Sequence, residues 1–274
     1  MKQYISILLL LLLFLTSCSE NKSQPSEPID KMDNDNNLIT REFFVDGSNT
    51  KFVIHNDGKL TRDAINNISN QINDSYIYIT NNYKNKNYDW NKKIDIYIKT
   101  ESGVSFAMNN YIVLYNSRGN NNNLTHEMSH TLLGFGNQKM NDFNIEYGFF
   151  TQEGLATVIE EELYPEKLVY PYNGVDTDEV MKYILKSNQY IPLDKLTDNE
   201  ISEQYFRSLD DKTMWVSYIE SASFMKYLIK NHGKEKVMKI FNIPNLQTEF
   251  IEVFGSSIED VENEWIQYIS NDVE

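Results

Sequence analysis

The chain has 274 residues and 41% hydrophobic side chains, enough for one large domain or two modest lobes around a real core. With 40 acidic against 25 basic residues its net charge is −15, which argues against nucleic acid and against electrostatic adhesion to anionic lipid as partners. A single cysteine excludes a disulfide framework within the chain.

The opening MKQYISILLLLLLFLTSC places one basic residue, Lys2, before an apolar run from Ile5 to Leu15. That is the pattern of a secretory signal peptide, too short and wrongly flanked for a stable membrane span. The run ends in Leu15-Thr16-Ser17-Cys18, which resembles the lipobox of bacterial lipoproteins. The resemblance implies that residues 1–17 are removed and that Cys18 is lipidated, anchoring the protein to the membrane on the extracytoplasmic side of the cell envelope. The alternative is an ordinary signal peptide with an incidental cysteine. Cleavage would remove Lys2 and no acidic residue, so the mature chain is more acidic still. An acylated Cys18 leaves no thiol, and stability must then come from packing and metal. Residues 18–37 are polar, include Pro25 and Pro28, and read as a flexible tether.

A domain is expected over 38–274. REFFVDG and TKFVIHNDG combine β-branched and aromatic residues with a glycine turn, predicting an antiparallel pair. His55 falls in the second of these strands and reads as structural. Ile65, Ile68, Ile72 and Tyr76 repeat at helical spacing and predict a helix over 61–83. KKIDIYIK alternates at Ile94, Ile96 and Ile98, and VSFAM and YIVLY follow as strands. No internal repeat is evident. Beyond Asn123 the pattern predicts helices over 124–134, 151–163, 177–187, 213–231, 233–242 and 257–270. The fold class is α+β: a small mixed sheet at about 38–120 followed by a mainly helical lobe at about 121–274.

His126-Glu127-Met128-Ser129-His130 is an HExxH motif lying where helix is expected, with Gly134 as its stop. Residues four apart share a helical face, so both imidazoles can reach one metal ion while Glu127, one step round, faces the open coordination position. A third ligand must come from elsewhere. Gly three and His six residues after the second histidine would mark a metzincin, but Leu133 and Gly136 stand there. The segment TQEGLATVIE offers Glu153 on a following helix, with Thr151 as a candidate N-cap.

That segment resembles the glutamate-bearing helix of the gluzincins, particularly the aminopeptidase N family and its smaller peptidase relatives. The resemblance implies a zincin-like fold and one Zn²⁺ held by His126, His130 and Glu153, with Glu127 as catalytic base. It also implies that Glu160, seven residues on, orients a ligand histidine. Against this stands a solvated acidic helix end, Glu160-Glu161-Glu162. MWVSYIESASFMKYLIKNHG resembles the family helix that carries a catalytic tyrosine, and Tyr218 occupies the matching place. Without the resemblance Tyr218 reads as a core tyrosine. Trp215, Tyr218, Ala222, Met225 and Leu228 form one stripe, which turns Tyr218 to the interior side of its helix. His232, beside Gly233, reads as a partner of the helix C-terminus.

In this superfamily substrate lies along an edge strand, a part that VSFAMNNYIVLY would supply. The aminopeptidases carry there a glutamate after methionine that holds the substrate's amino group, whereas Met108-Asn109-Asn110 stands here. An asparagine cannot neutralise an ammonium ion. The expected activity is therefore a zinc-dependent peptidase acting on extracytoplasmic peptides or proteins, endopeptidase rather than aminopeptidase. The rival readings are a non-catalytic lipoprotein that binds metal or a partner through a retained zincin fold, and a zinc enzyme with a non-peptide substrate.

Overall fold

The computed structural model describes residues 27–35, 37–45, 47–83, 93–108, 110–117, 123–134, 147–165 and 174–271. The apolar opening run, Cys18 and Asn109 lie outside them.

Six strands form one mixed sheet: β1 Ile29–Met32, β2 Leu38–Phe44, β3 Lys51–His55, β4 Lys93–Ile98, β5 Phe106–Ala107 and β6 Tyr111–Leu114, in the order β1-β2-β3-β4-β6-β5. The expected hairpin is β2 with β3, antiparallel. Helix α1, Arg62–Asn82, then carries the chain back so that β4 lies parallel to β3, and β6 parallel to β4. Thr61 starts α1 by accepting the Ala64 N–H on its side chain. Ile65, Ile68, Ile72 and Ile79 are fully buried along one face. Each contributes about 1.5–3 kcal/mol on leaving water. Tyr76 on the same face meets Phe52 of β3 edge-to-face at 6.1 Å.

Strand β1 departs from the expected tether. Its residues lack apolar alternation, and a charge pair supplies the register instead. Asp30 lies directly opposite Arg41, which donates to it through Nε at 2.8 Å and Nη2 at 3.0 Å; Arg62 of α1 adds a third contact at 2.9 Å. A bidentate pair across an edge gives orientation that a tether would not have.

Helix α2, Leu124–Ser129, continues as a π-helical turn, His130–Gly134, and so reaches the expected stop. There follow α3 Phe150–Leu163, α4 Thr177–Lys186, α5 Leu193–Leu196, α6 Glu203–Phe206, α7 Asp211–His232, α8 Lys234–Ile240, α9 Leu246–Phe254 and α10 Ile258–Asn271. Helices α5, α6 and α9 were not expected. Two are single turns, and α9 buries only Leu246 and Phe250. The whole is a mixed α+β arrangement, an N-terminal sheet followed by a helical part. Among the described residues no helix is long and apolar enough to cross a membrane.

Helices α3 and α7 pack closely enough to fix the surroundings of Glu153. They cross at Gly154, where a Cβ would stand 2.8 Å from the Ser221 carbonyl oxygen and 2.9 Å from its carbon. Only a glycine permits that approach.

Candidate metal centre

His126 and His130 project from α2 and the turn that extends it, one helical turn apart. Glu153 enters from the first turn of α3. His126 Nε2 and His130 Nε2 lie 3.1 Å apart, and Glu153 Oε2 lies 3.1 Å from the first and 3.2 Å from the second. Metal–ligand bonds of about 2.0–2.1 Å in tetrahedral array place neighbouring ligand atoms about 3.3 Å apart. The three atoms therefore stand at the spacing of one face of a zinc coordination tetrahedron. Two imidazoles and a carboxylate also match the donor set of a catalytic zinc site with one position left for water. Among the described residues this is the one group of three or more such side chains that could hold an ion.

Charge follows the same geometry. Burial alone would raise the Glu153 carboxyl, but His130 and His126 together hold it well below the usual carboxylate range. Burial and the charge of His130 push His126 down, but its hydrogen bond to Glu153 and the charges of Glu153 and Glu127 together outweigh them, so the net shift is upward. Glu127 is 4% exposed, and its carboxyl is pushed up to about 8 by burial, with the charges of Glu153 and Glu160 adding and His126 and Asn123 opposing. Asn123 Nδ2 donates to Glu127 Oε1 at 2.7 Å.

Tyr218 of α7 lies over the site. Its ring stacks on His126 at 6.2 Å and packs on Phe206 and Trp215 at 5.6 Å each, and its hydroxyl hydrogen-bonds Glu153. Burial and the charges of Glu153 and Glu127 raise the phenol well above its ordinary value, so at neutral pH it carries its proton.

The site opens into a cleft of about 370 Å³. One wall is the segment Gly103–Ser105 beside edge strand β5, a second is the α7 face at Met214, Trp215, Tyr218 and Ile219, and Thr157 and Glu160 of α3 also line it. Glu160 is thus buried in the cleft, one turn beyond Thr157. The acidic end is solvated only at Glu162: Glu160 and Glu161 are buried, Glu161 pairs with Lys226, and exposed Glu162 accepts from Tyr78, Tyr83 and Lys234.

The other residues singled out by the sequence lie elsewhere in the fold or take other contacts. Thr151 does not cap α3; the helix starts at Phe150, and Thr151 Oγ1 accepts the Asn242 N–H at 3.2 Å. Trp215 lines the cleft, although its stripe continues into the core through Ala222, Met225 and Leu228. His55 stacks on Tyr97 at 4.4 Å and bonds Asp95 at 2.7 Å, a sheet contact distant from the histidine pair in sequence. His232 sits in the last turn of α7 against Phe254, and burial and Lys236 lower its pKa, so it is a poor cationic partner for the helix end. Met108, beside β5, accepts from Thr131 Oγ1 at 3.1 Å, joining the edge to the turn that bears His130. Asn123 and the cleft residues Met214 and Ile219 escaped sequence reading; the asparagine's signal was its place four residues before Glu127.

The chain matches no protein-family model and no curated protein. Among solved structures it is similar to the M1 zinc metallopeptidase from Deinococcus radiodurans, at 10% identity and a TM-score of 0.47 over 92% of this chain and 52% of that one. The chain thus spans about half the length of the protein it matches.

Proposed function

We propose that this chain is a zinc-dependent peptidase that cuts within peptides, held to the extracytoplasmic face of a membrane by a lipid on Cys18. The observation that carries the hydrolytic reading is the triangle of His126, His130 and Glu153 atoms 3.1–3.2 Å on a side, with the Glu127 carboxyl beside it in an open cleft. Zinc bound there would supply a Lewis acid that polarises a carbonyl and makes water acidic near neutrality.

The chain's own residues do the rest. Glu127, with one oxygen fixed by Asn123, takes the proton of the attacking water and returns it to the departing amine. Tyr218 keeps its proton and would turn it from Glu153 to the oxygen that gains charge in the transition state. The β5 edge beside the site offers main-chain groups for an extended substrate. The anchor rests on Leu15-Thr16-Ser17-Cys18 alone, and the preference for internal bonds on Met108-Asn109-Asn110, which carries no carboxylate. A protein retained only to bind metal would need the three ligands and not Glu127.

The test uses the full chain in detergent, with bound zinc measured beside cleavage of a mixed quenched-peptide library. One zinc per chain, cleavage lost in Glu127→Ala with zinc retained, and zinc lost in Glu153→Ala support the reading. No zinc, or cleavage untouched by either substitution, overturns it.

A further inference from the structure

The cleft's wall chemistry narrows the substrate. Trp215 and Ile219 of α7, four residues apart, present partly exposed apolar surface to it. Val104, 84% exposed, and Val175, 44% exposed, face the same space from two other segments. Large apolar side chains left in water at a concave site gain free energy when something apolar covers them. The Gly103 side of the wall is shaped for this as well. A Cβ at Gly103 would stand 2.5 Å from the Tyr115 ring, so the glycine lets that ring lie flat against the backbone while lining the cleft.

The segment around Val175 is held in place from outside. Val175 and Thr177 line the cleft, whereas Asp176 and Asp178 lie on the opposite side with Lys226 at 2.8 Å and 3.8 Å, and Glu161 accepts the Thr177 N–H at 3.2 Å. An apolar wall fixed by such a clasp is a preformed pocket, and it opens beside His126 and Glu127.

We propose that this cleft is a subsite for a large apolar side chain, aromatic or branched aliphatic, on a substrate residue next to the bond that is cut. The proposal rests on the peptidase reading and names the substrate class for it. A space of about 370 Å³ admits one such side chain with the adjoining main chain, and Trp215 supplies a flat face for it.

Two measurements separate this proposal from that reading. Binding of acetyl-Ala-X-Ala-amide peptides to the full-chain Glu127→Ala protein is followed by calorimetry, with X as Phe, Leu, Ala, Lys or Asp. Cut sites of the unsubstituted protein are mapped on a peptide library. The pocket predicts Phe and Leu peptides binding about tenfold or more tighter than Ala or Asp peptides, and Phe, Tyr, Leu or Met enriched beside the cut. Ile219→Asp erases that ratio, and Val104→Asp, at a position too exposed to disturb folding, weakens it. Affinity independent of X, tightest binding of the Lys or Asp peptide, or no binding by any peptide overturns the pocket. Glu127-dependent cleavage without apolar enrichment overturns the pocket and leaves the peptidase. Selective apolar binding without cleavage overturns the peptidase and leaves the pocket.

Discussion

Asn123 and Glu127 are joined by a hydrogen bond of 2.7 Å from the amide nitrogen of one to the carboxylate of the other, across the first turn of the helix that carries His126 and leads into the turn bearing His130. The bond fixes one Glu127 oxygen and leaves the other to exchange a proton. Asn123→Ala should therefore lower kcat about 10- to 100-fold, the cost of a hydrogen bond to a charged group, with bound zinc unchanged. Steady-state kinetics beside metal analysis checks this. An unchanged kcat would mean that Glu127 needs no such support.

Gly154, next to Glu153, is where α3 meets the Ser221 backbone of α7. Backbone cannot swing aside as a side chain can, so Gly154→Ala must part the two helices. Overpacking of this kind costs about 1–3 kcal/mol, or several degrees in Tm for a chain of this size. The same displacement carries Glu153 away from the two histidines. Zinc affinity should fall along with Tm, which separates this outcome from plain destabilisation; calorimetry and competition with a chelator measure the two.

Lys226 holds Glu161, Asp176 and Asp178 at 2.9, 2.8 and 3.8 Å. Lys226→Met strands three carboxylates around an apolar chain. Breaking a fully buried pair costs about 3–5 kcal/mol, and the partial exposure of Asp176 puts this case below that range. Burial already raises the Glu161 and Asp178 carboxyls, so protonation relieves the variant, which should regain part of its lost stability as pH falls. Because the stranded groups flank the cleft wall at Val175 and Thr177, KM for apolar substrates should rise about tenfold while kcat holds. A uniform loss of kcat would place Lys226 in the chemistry instead.

What the sequence makes legible is what is local. The four-residue spacing of His126 and His130, the alternation of Ile94, Ile96 and Ile98, and the periodic isoleucines of α1 each announce their element without knowledge of the rest of the chain. Strand β1 fails that test because its register depends on Asp30 finding Arg41 eleven residues away. Trp215 and Ile219 fail differently: an apolar stripe facing a cleft has the same period as one facing a core, and only the opposing walls tell them apart. The Glu160-Glu161-Glu162 run looks solvated throughout because the partners of Glu161 and Glu162, which are Lys226, Tyr78, Tyr83 and Lys234, come from distant parts of the chain.

Glu220 of α7 is fully buried; Oε1 accepts the Ile191 N–H at 3.0 Å, and Oε2 has no hydrogen-bond partner among the described residues. Burial raises its carboxyl well above the ordinary value, with the Ile191 bond opposing only in part. In the unfolded chain the same group titrates at about 4.3. Below that pH both states are protonated and Glu220 contributes in full. As pH rises past it, the unfolded state sheds a proton that the folded state retains, and stability is lost until the raised folded value is reached. Glu220→Gln keeps the shape and the Ile191 bond without the proton. Its Tm should match the parent at about pH 4 and exceed it by a few degrees at pH 8. A gap that stays constant across that range would mean that Glu220 is ionised in the fold and that a cation reaches it.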